Sequence, residues 1–120
     1  MNESKIWLSS PHMGGSEQKF VDKAFETNWI APLGPNVNSF EKDISSYLGN
    51  QDEIHTAVLT SGTAALHLAL KILGVGTGDL VMVQSFTFCG TTNPVSYQNA
   101  EIVFIDSEKD TWNMCPTTLK

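Results

Sequence analysis

Three short apolar runs, "TAVLT" (56–60), "DLVMVQ" (79–84) and "EIVFID" (101–106), constrain this chain more than any other feature, because helix-forming segments separate them. Residues 64–73 read as a helix, and "NPVSYQNA" (93–100) reads as a weaker one. Short strands that alternate with helical crossovers specify an α/β fold with a mainly parallel sheet and flanking helices. Such a sheet needs cover on both faces, and about three strands with their crossovers leave part of that cover to come from elsewhere.

The first half is helical in pattern. "SEQKFVDKAFET" (16–27) sets Phe20, Val21, Ala24 and Phe25 at helical spacing, with Ser16 as the expected N-cap and Lys19 and Lys23 on the wet side. "NWIAPLGPN" (28–36) carries two prolines and a glycine and reads as an ordered apolar loop. Helical spacing returns at 37–49 through Val37, Phe40, Ile44, Tyr47 and Leu48, with Gly49 as the C-cap. At the other end, Pro116 in "TWNMCPTTLK" has the position of a helix start, which makes the chain look cut short inside a helix.

Composition removes several function classes. The 120 residues are 41% apolar and 17% charged, as in a globular protein, and fill one domain or part of one. The net charge is −6 and the seven basic residues are scattered lysines, so no basic face exists for nucleic acid. No apolar run nears the roughly 20 residues of a membrane span, and "MNESKIWLSS" lacks the plan of a secretory leader; a cytoplasmic location is expected. Cys89 and Cys115 read as free thiols, one of them buried. His12, His55 and His67 have no metal-ligand spacing.

Two glycine-containing turns compete as anion sites. "GVGTGD" (74–79) follows a helix and precedes a strand, so it reads as a helix end and turn. A phosphate cradle instead opens a helix, where unpaired N–H groups and the positive end of the dipole face outward. "TSGTAAL" (60–66) has that polarity: it leaves an apolar run and starts a helix. Gly62 permits close approach, and the amides of Gly62, Thr63 and Ala64 lie beyond the reach of intrahelical acceptors. On spacing alone the alternative is equally good, namely that Ser61 or Thr63 simply caps the helix.

"GPNVNSFEKDISSYLG", "TSGTAALHLALKILGVGTGDLVMVQSFTF" and "AEIVFID", in this order and at these separations, resemble the N-terminal third of the DegT/DnrJ/EryC1/StrS aminotransferases. The resemblance covers residues 7–120 and implies the large domain of a fold-type I, pyridoxal-phosphate (PLP) enzyme acting on keto-sugar nucleotides. "SSPHMGGSEQKFVDKAFETNWIAPLGPNV" further resembles the branch that aminates C4 of UDP-linked 4-keto-6-deoxy sugars, as in bacillosamine-type pathways.

Carried over to these positions, the resemblance implies that Gly62, Thr63 and Ala64 hold the cofactor phosphate and that Phe88 lies against the pyridine ring. For Phe88, core burial after a strand is the ordinary alternative. Ala31, Pro32, Leu33 and Gly34 would approach the substrate, or merely connect two helices, while Trp29 packs beside the sugar or anchors that loop. Asp106 takes a capping or turn role. Glutamate would be the amino donor, and the complete enzyme would be a homodimer.

The chemistry also needs a lysine to anchor the cofactor and an acid at its pyridine nitrogen. Lys5, Lys19, Lys23, Lys42, Lys71, Lys109 and Lys120 all fall outside the family's lysine motif, so no catalytic residue is assigned and the chain alone is expected to be inactive. A dehydratase acting at C3, from the same family, and a non-catalytic binding fragment are the alternatives. A Rossmann dehydrogenase is the weakest, since no G-x-G-x-x-G joins a strand to a helix.

Overall fold

The structure is a computed structural model that describes residues 5–7, 9–49 and 53–120. Part of the N-terminal stretch read above for a leader lies outside these residues. The chain divides into two compact units, Met1–Val58 and Leu59–Lys120.

The first unit holds two helices, α1 (Glu17–Glu26) and α2 (Pro35–Leu48). Ser16 occupies the N-cap position of α1, but its hydroxyl makes no capping bond. Instead the Glu17 carboxylate, at the first helical position, accepts the amides of Gly14 and of Gly15 in the turn that leads into the helix, the latter at 2.8 Å. α2 begins two residues before the expected point because Pro35 fits a first helical position, where its missing N–H costs nothing. Gly49 closes α2 as expected, at φ 139°, in the left-handed region that glycine tolerates.

Residues 56–60 do not form the expected strand. They carry no regular secondary structure, with a bend at Thr60, and no described strand pairs with them. Their polar groups go to α2 instead: the Val58 amide donates to Glu41 Oε1 at 2.9 Å, and the buried Ser45 hydroxyl donates to Thr56 Oγ1 at 2.9 Å. An apolar run alone cannot reveal whether a ladder partner is present.

The second unit contains α3 (Gly62–Ile72), β1 (Leu80–Gln84), α4 (Cys89–Tyr97) and β2 (Glu101–Ile105). β1 and β2 pair in parallel, in register from Leu80 opposite Glu101 to Gln84 opposite Ile105. The ladder is extended at both ends, by Glu101 N–H to Asp79 O and by Ser85 N–H to Ile105 O. α4 is the crossover and packs on both strands and on α3. Val83, Val95 and Ile105 form the buried core, with Pro94 fully enclosed.

α4 starts at Cys89, four residues before the expected point, and carries Pro94 inside it. Pro94, second in the helix expected from the sequence, lies six residues into the observed one. It forfeits one main-chain bond there and gains complete burial. Both strand faces are apolar in sequence. Leu80, Met82 and Phe104 nevertheless stay exposed, as expected of a parallel sheet lacking part of its cover.

The "GVGTGD" turn ends α3 as expected. Gly74 lies at φ 75°, Val75 N–H returns to Leu70 O, and Gly76 N–H donates to Asp79 Oδ2. Neither cysteine is buried, contrary to expectation: Cys89 is exposed at the head of α4, and Cys115 is half-buried. Residues 116–119 form a turn, with Leu119 N–H donating to Cys115 O.

The Glu17 turn carries a pH dependence. Its own amide first, then those of Gly14 and Gly15, hold its carboxyl below the ordinary range, against a small opposing effect of burial. Because the folded value is depressed, the stabilisation is complete above the unfolded value of about 4.3 and fades as pH falls through the folded one. The amide signals of Gly14 and Gly15 should therefore lose their hydrogen-bonded shifts on acidification below about pH 4, and Glu17→Gln should remove that titration. An unchanged acid transition in Glu17→Gln would assign the titration elsewhere.

Candidate cofactor site at the heads of two helices

The second unit gathers two helix N-termini at one place. Thr63 sits at the head of α3 and Gly90 at the head of α4, and the two touch: a Cβ built on Gly90 would lie 2.7 Å from Thr63 Oγ1. Further along, the His67 and Tyr97 rings meet edge to face at 5.4 Å. The two helices therefore run in the same direction, heads together. α4 springs directly from the C-terminal end of β1, the edge where α/β sheets bind ligands. Both dipoles present their positive ends to this edge.

Ser61, in extended conformation, N-caps α3, and its hydroxyl accepts the Ala64 amide at 3.1 Å. Of the three amides singled out in the sequence, that of Ala64 is thus already paired. Those of Gly62 and Thr63 have no acceptor among the described residues. In front of Gly62 a Cβ would meet nothing within 4 Å, so no neighbour among the described residues forbids a side chain there. The missing side chain leaves the two free amides open to an approaching anion. Cap and anion site, alternatives in the sequence, coexist here because they use different amides.

Phe88 is not a core residue. It occupies the N-cap position of α4 and is 78% exposed. Its ring lies on the same side as Thr63, since the Cβ position that falls 2.7 Å from Thr63 Oγ1 is also 3.0 Å from Phe88 Cδ1. Thr87 Oγ1 and Thr91 Oγ1 are hydrogen-bonded at 2.9 Å, and Thr91 N–H donates to Phe88 O, which fixes the turn carrying the ring. The sequence reading assigns Gly90 no role. Nothing along the chain announces that α3 lies against it.

Asp106 has the turn role expected of it: its carboxylate accepts Ser107 N–H at 2.8 Å and the Ser85 hydroxyl at 3.5 Å. Beyond it, Glu108 accepts Asp110 N–H at 2.6 Å, Thr111 N–H at 2.7 Å and the Thr111 hydroxyl. These bonds, the Thr111 hydroxyl foremost, lower the Glu108 carboxyl below its ordinary range.

Ala31, Pro32, Leu33 and Gly34 lie in the first unit, on the loop between α1 and α2. Leu33 is 72% exposed at φ 75°, and Gly34 is buried at φ 126°. A Cβ on Gly34 would stand 3.0 Å from the Trp29 ring, so the tryptophan braces the loop. A groove of about 650 Å³ in this unit is lined by Phe20, Lys23, Val37 and Phe40 among others, and by none of the four loop residues.

The model of the DegT/DnrJ/EryC1/StrS aminotransferase family matches residues 11–120. The chain belongs to this family. EpsN of Bacillus subtilis, assigned by name to the pyridoxal phosphate-dependent aminotransferases, is 56% identical over 116 residues, which are 97% of this chain and 29% of that protein. GDP-perosamine synthase of Caulobacter vibrioides is 36% identical over 110 residues, 92% of this chain and 29% of the relative. Among solved structures, the PLP form of the Streptococcus pneumoniae sugar aminotransferase Spr1654 aligns with TM-score 0.81 and 31% identity, over 97% of this chain and 29% of that one. This member of the family thus spans under a third of the length of the relatives it matches, and its two-stranded parallel sheet with flanking helices is a portion of their fold.

Removing the Ser61 hydroxyl tests how the head of α3 is held. Ser61→Ala should lower stability by about 1 kcal/mol in urea denaturation, the usual value of an N-cap. It should leave free the very amides an anion would use. An unchanged midpoint would mean that the capping bond contributes nothing.

Proposed function

We propose that these residues belong to a PLP-dependent aminotransferase that converts a keto-sugar nucleotide, a UDP-linked 4-keto-6-deoxy-N-acetylhexosamine, to the amino sugar, with glutamate as donor. They form the N-terminal segment of its large domain, and the enzyme works as a cytosolic homodimer in glycan or surface-polysaccharide synthesis. The observation that carries the reading is the head of α3. There the free amides of Gly62 and Thr63, open space and the exposed Phe88 ring occur together in a chain of this family.

The donor set fits a phosphate monoester. Two unpaired amides at a helix N-terminus bind an anion without a cationic side chain, which suits a chain with no arginine. Phe88 offers an exposed, flat apolar surface to an aromatic ring, and ring stacking adds about 0.5–1.5 kcal/mol beyond burial. When bound, the cofactor supplies an electrophilic carbon that carries the amino group and a ring that takes up electron density. The residues of this chain bind and orient; they move no proton.

All seven lysines fall outside the family's lysine motif, so the anchoring lysine is assigned outside these residues and the 120-residue segment is inactive alone. The loop of Ala31, Pro32, Leu33 and Gly34 is assigned to the substrate. Its Trp29 brace and proline reduce the ordering entropy lost on binding.

The test uses the product of the complete gene. It should bind PLP, and with glutamate and the UDP-4-keto sugar it should yield 2-oxoglutarate and the UDP-amino sugar by mass spectrometry. A dehydrated sugar with no nitrogen gained would assign it to the C3 dehydratases instead, and absence of PLP binding would overturn the cofactor reading. Gly62→Val should reduce PLP affinity by more than about a hundredfold, since it displaces the phosphate from several charge-assisted bonds. Thr63→Ala keeps the amide and should cost about tenfold or less.

A further inference from the structure

We infer that Leu33 is a specificity-determining residue: its side chain, held out from a pinned loop in a strained backbone conformation, meets the C6 methyl of a 6-deoxy sugar and disfavours the 6-hydroxymethyl form. This rests on the assignment of the 31–34 loop to the substrate and names what one of its residues selects.

Among the described residues, four that are not glycine have φ in the left-handed region: Asn28 at 60°, Leu33 at 75°, Asn99 at 56° and Trp112 at 63°. Asparagine tolerates that region because its short amide bonds locally, whereas a bulky side chain there is an outlier. The Trp112 ring rests against Phe86, with centroids 5.7 Å apart. Leu33 is neither an asparagine nor packed away, being 72% exposed. It lines neither the groove of about 650 Å³ nor the cavity of about 380 Å³ that shares Phe20 and Asn36 with it.

The loop is pinned at both ends. On the α1 side, the amides of Thr27, Asn28 and Trp29 return to Lys23 O, Phe25 O and Ala24 O at 3.1, 3.1 and 2.8 Å. On the α2 side, Asn38 N–H donates to Gly34 O at 3.0 Å, and Pro35 opens the helix with its own φ fixed. The Trp29 ring lies against Gly34, which stands at φ 126°, a conformation suited to glycine. With both flanks held, Leu33 keeps its left-handed turn and its isobutyl group stays in solvent. Glycine or asparagine would suit this backbone better, and a polar residue would suit the exposure better. A leucine serves neither, which leaves contact with a partner outside these residues as its role.

An aliphatic side chain offers contact area with no hydrogen-bond donor or acceptor. Most of a hexose surface carries hydroxyls, and each one turned against leucine would lose water without gaining a partner. The carbon that suits leucine is one whose hydroxyl is missing. In a 4-keto-6-deoxy sugar that carbon is the C6 methyl, attached to the neighbour of the reacting C4. An apolar surface discriminates against an added hydroxyl by about a hundredfold at most, so one leucine should supply about tenfold.

The experiment uses the complete gene product loaded with PLP and two sugar nucleotides that cannot react because they carry a hydroxyl at C4: a UDP-linked N-acetylhexosamine and its 6-deoxy counterpart. Affinities are measured by calorimetric titration for the unmutated protein, Leu33→Asn and Leu33→Ala, with thermal unfolding and PLP affinity as controls. The unmutated protein should prefer the 6-deoxy ligand about tenfold. Leu33→Asn, which accepts the left-handed conformation, should bring that preference to about threefold or less, mostly by weakening the 6-deoxy ligand. It should unfold at the same temperature or higher, and PLP affinity should not change.

No preference in the unmutated protein, or equal weakening of both ligands in Leu33→Asn, would overturn the inference while keeping the loop at the substrate. A lower unfolding temperature with the preference intact would also overturn it, since that is the signature of a leucine buried against another part of the protein. Should Leu33→Asn fail to fold, Leu33→Ala decides by the same ratio. Affinities for both ligands untouched by either substitution would strike the loop assignment itself, which keeps the two separable.

Discussion

The contact between the first turns of α3 and α4 governs the rest of the second unit. At position 90, which has no Cβ, Thr63 Oγ1 and the Phe88 ring close in, and the contact sets two helix N-termini side by side. The βαβ unit of β1, α4 and β2 fixes where α4 begins, directly after the C-terminal end of β1. The Ser61 cap fixes where α3 begins, and it does so by consuming the Ala64 amide while leaving those of Gly62 and Thr63. Thr63 Oγ1 and the Phe88 ring then flank one point, where a Gly90 Cβ would stand. The proposed phosphate site would depend on backbone geometry alone, so its specificity would come from shape and distance.

Elements whose pattern reflects local chemistry were legible from residues alone. β1 and β2 lie within a residue of their apolar runs, and the polarity of the two glycine turns correctly separated a helix end at Gly74 from a helix start at Gly62. What depends on distant partners was not legible. Residues 56–60 have the composition of a strand, but their hydrogen bonds go to Glu41 and Ser45. α4 begins four residues before its expected start, where Gly90 packs against α3 and Pro94 lies enclosed in the core, contacts that no local pattern shows. At α1 the serine expected to cap makes no capping bond, and the Glu17 side chain reaches back instead to two glycine amides. The exposure of Phe88 likewise follows from its place at a helix head rather than from its type.

The apolar surface has a single physical theme. Leu80, Met82 and Phe104 on the strands, Leu66, Leu68 and Ile72 on α3, and Leu73 at its C-cap are exposed within these residues. Parallel strands with two apolar faces are stable when helices or further strands cover both. The relatives are more than three times as long over the same alignment, which is consistent with cover drawn from elsewhere in a family domain. The exposed aromatic pair Phe86 and Trp112, with ring centroids 5.7 Å apart, belongs to this uncovered edge. It lies near the site in sequence, but its polar surroundings are turn bonds rather than ligand donors.

The most direct test follows the amides themselves. In the complete gene product labelled with 15N-glycine and 15N-threonine, inorganic phosphate and then PLP would be titrated while amide resonances are recorded. The expected result is that Gly62 and Thr63 shift with both ligands, that Gly90 shifts with PLP, and that Gly74, Gly76 and Gly78 stay in place. Shifts concentrated on Gly74, Gly76 and Gly78, or a Gly62 and Thr63 pair indifferent to both ligands, would contradict the assignment of the α3 head as the phosphate site.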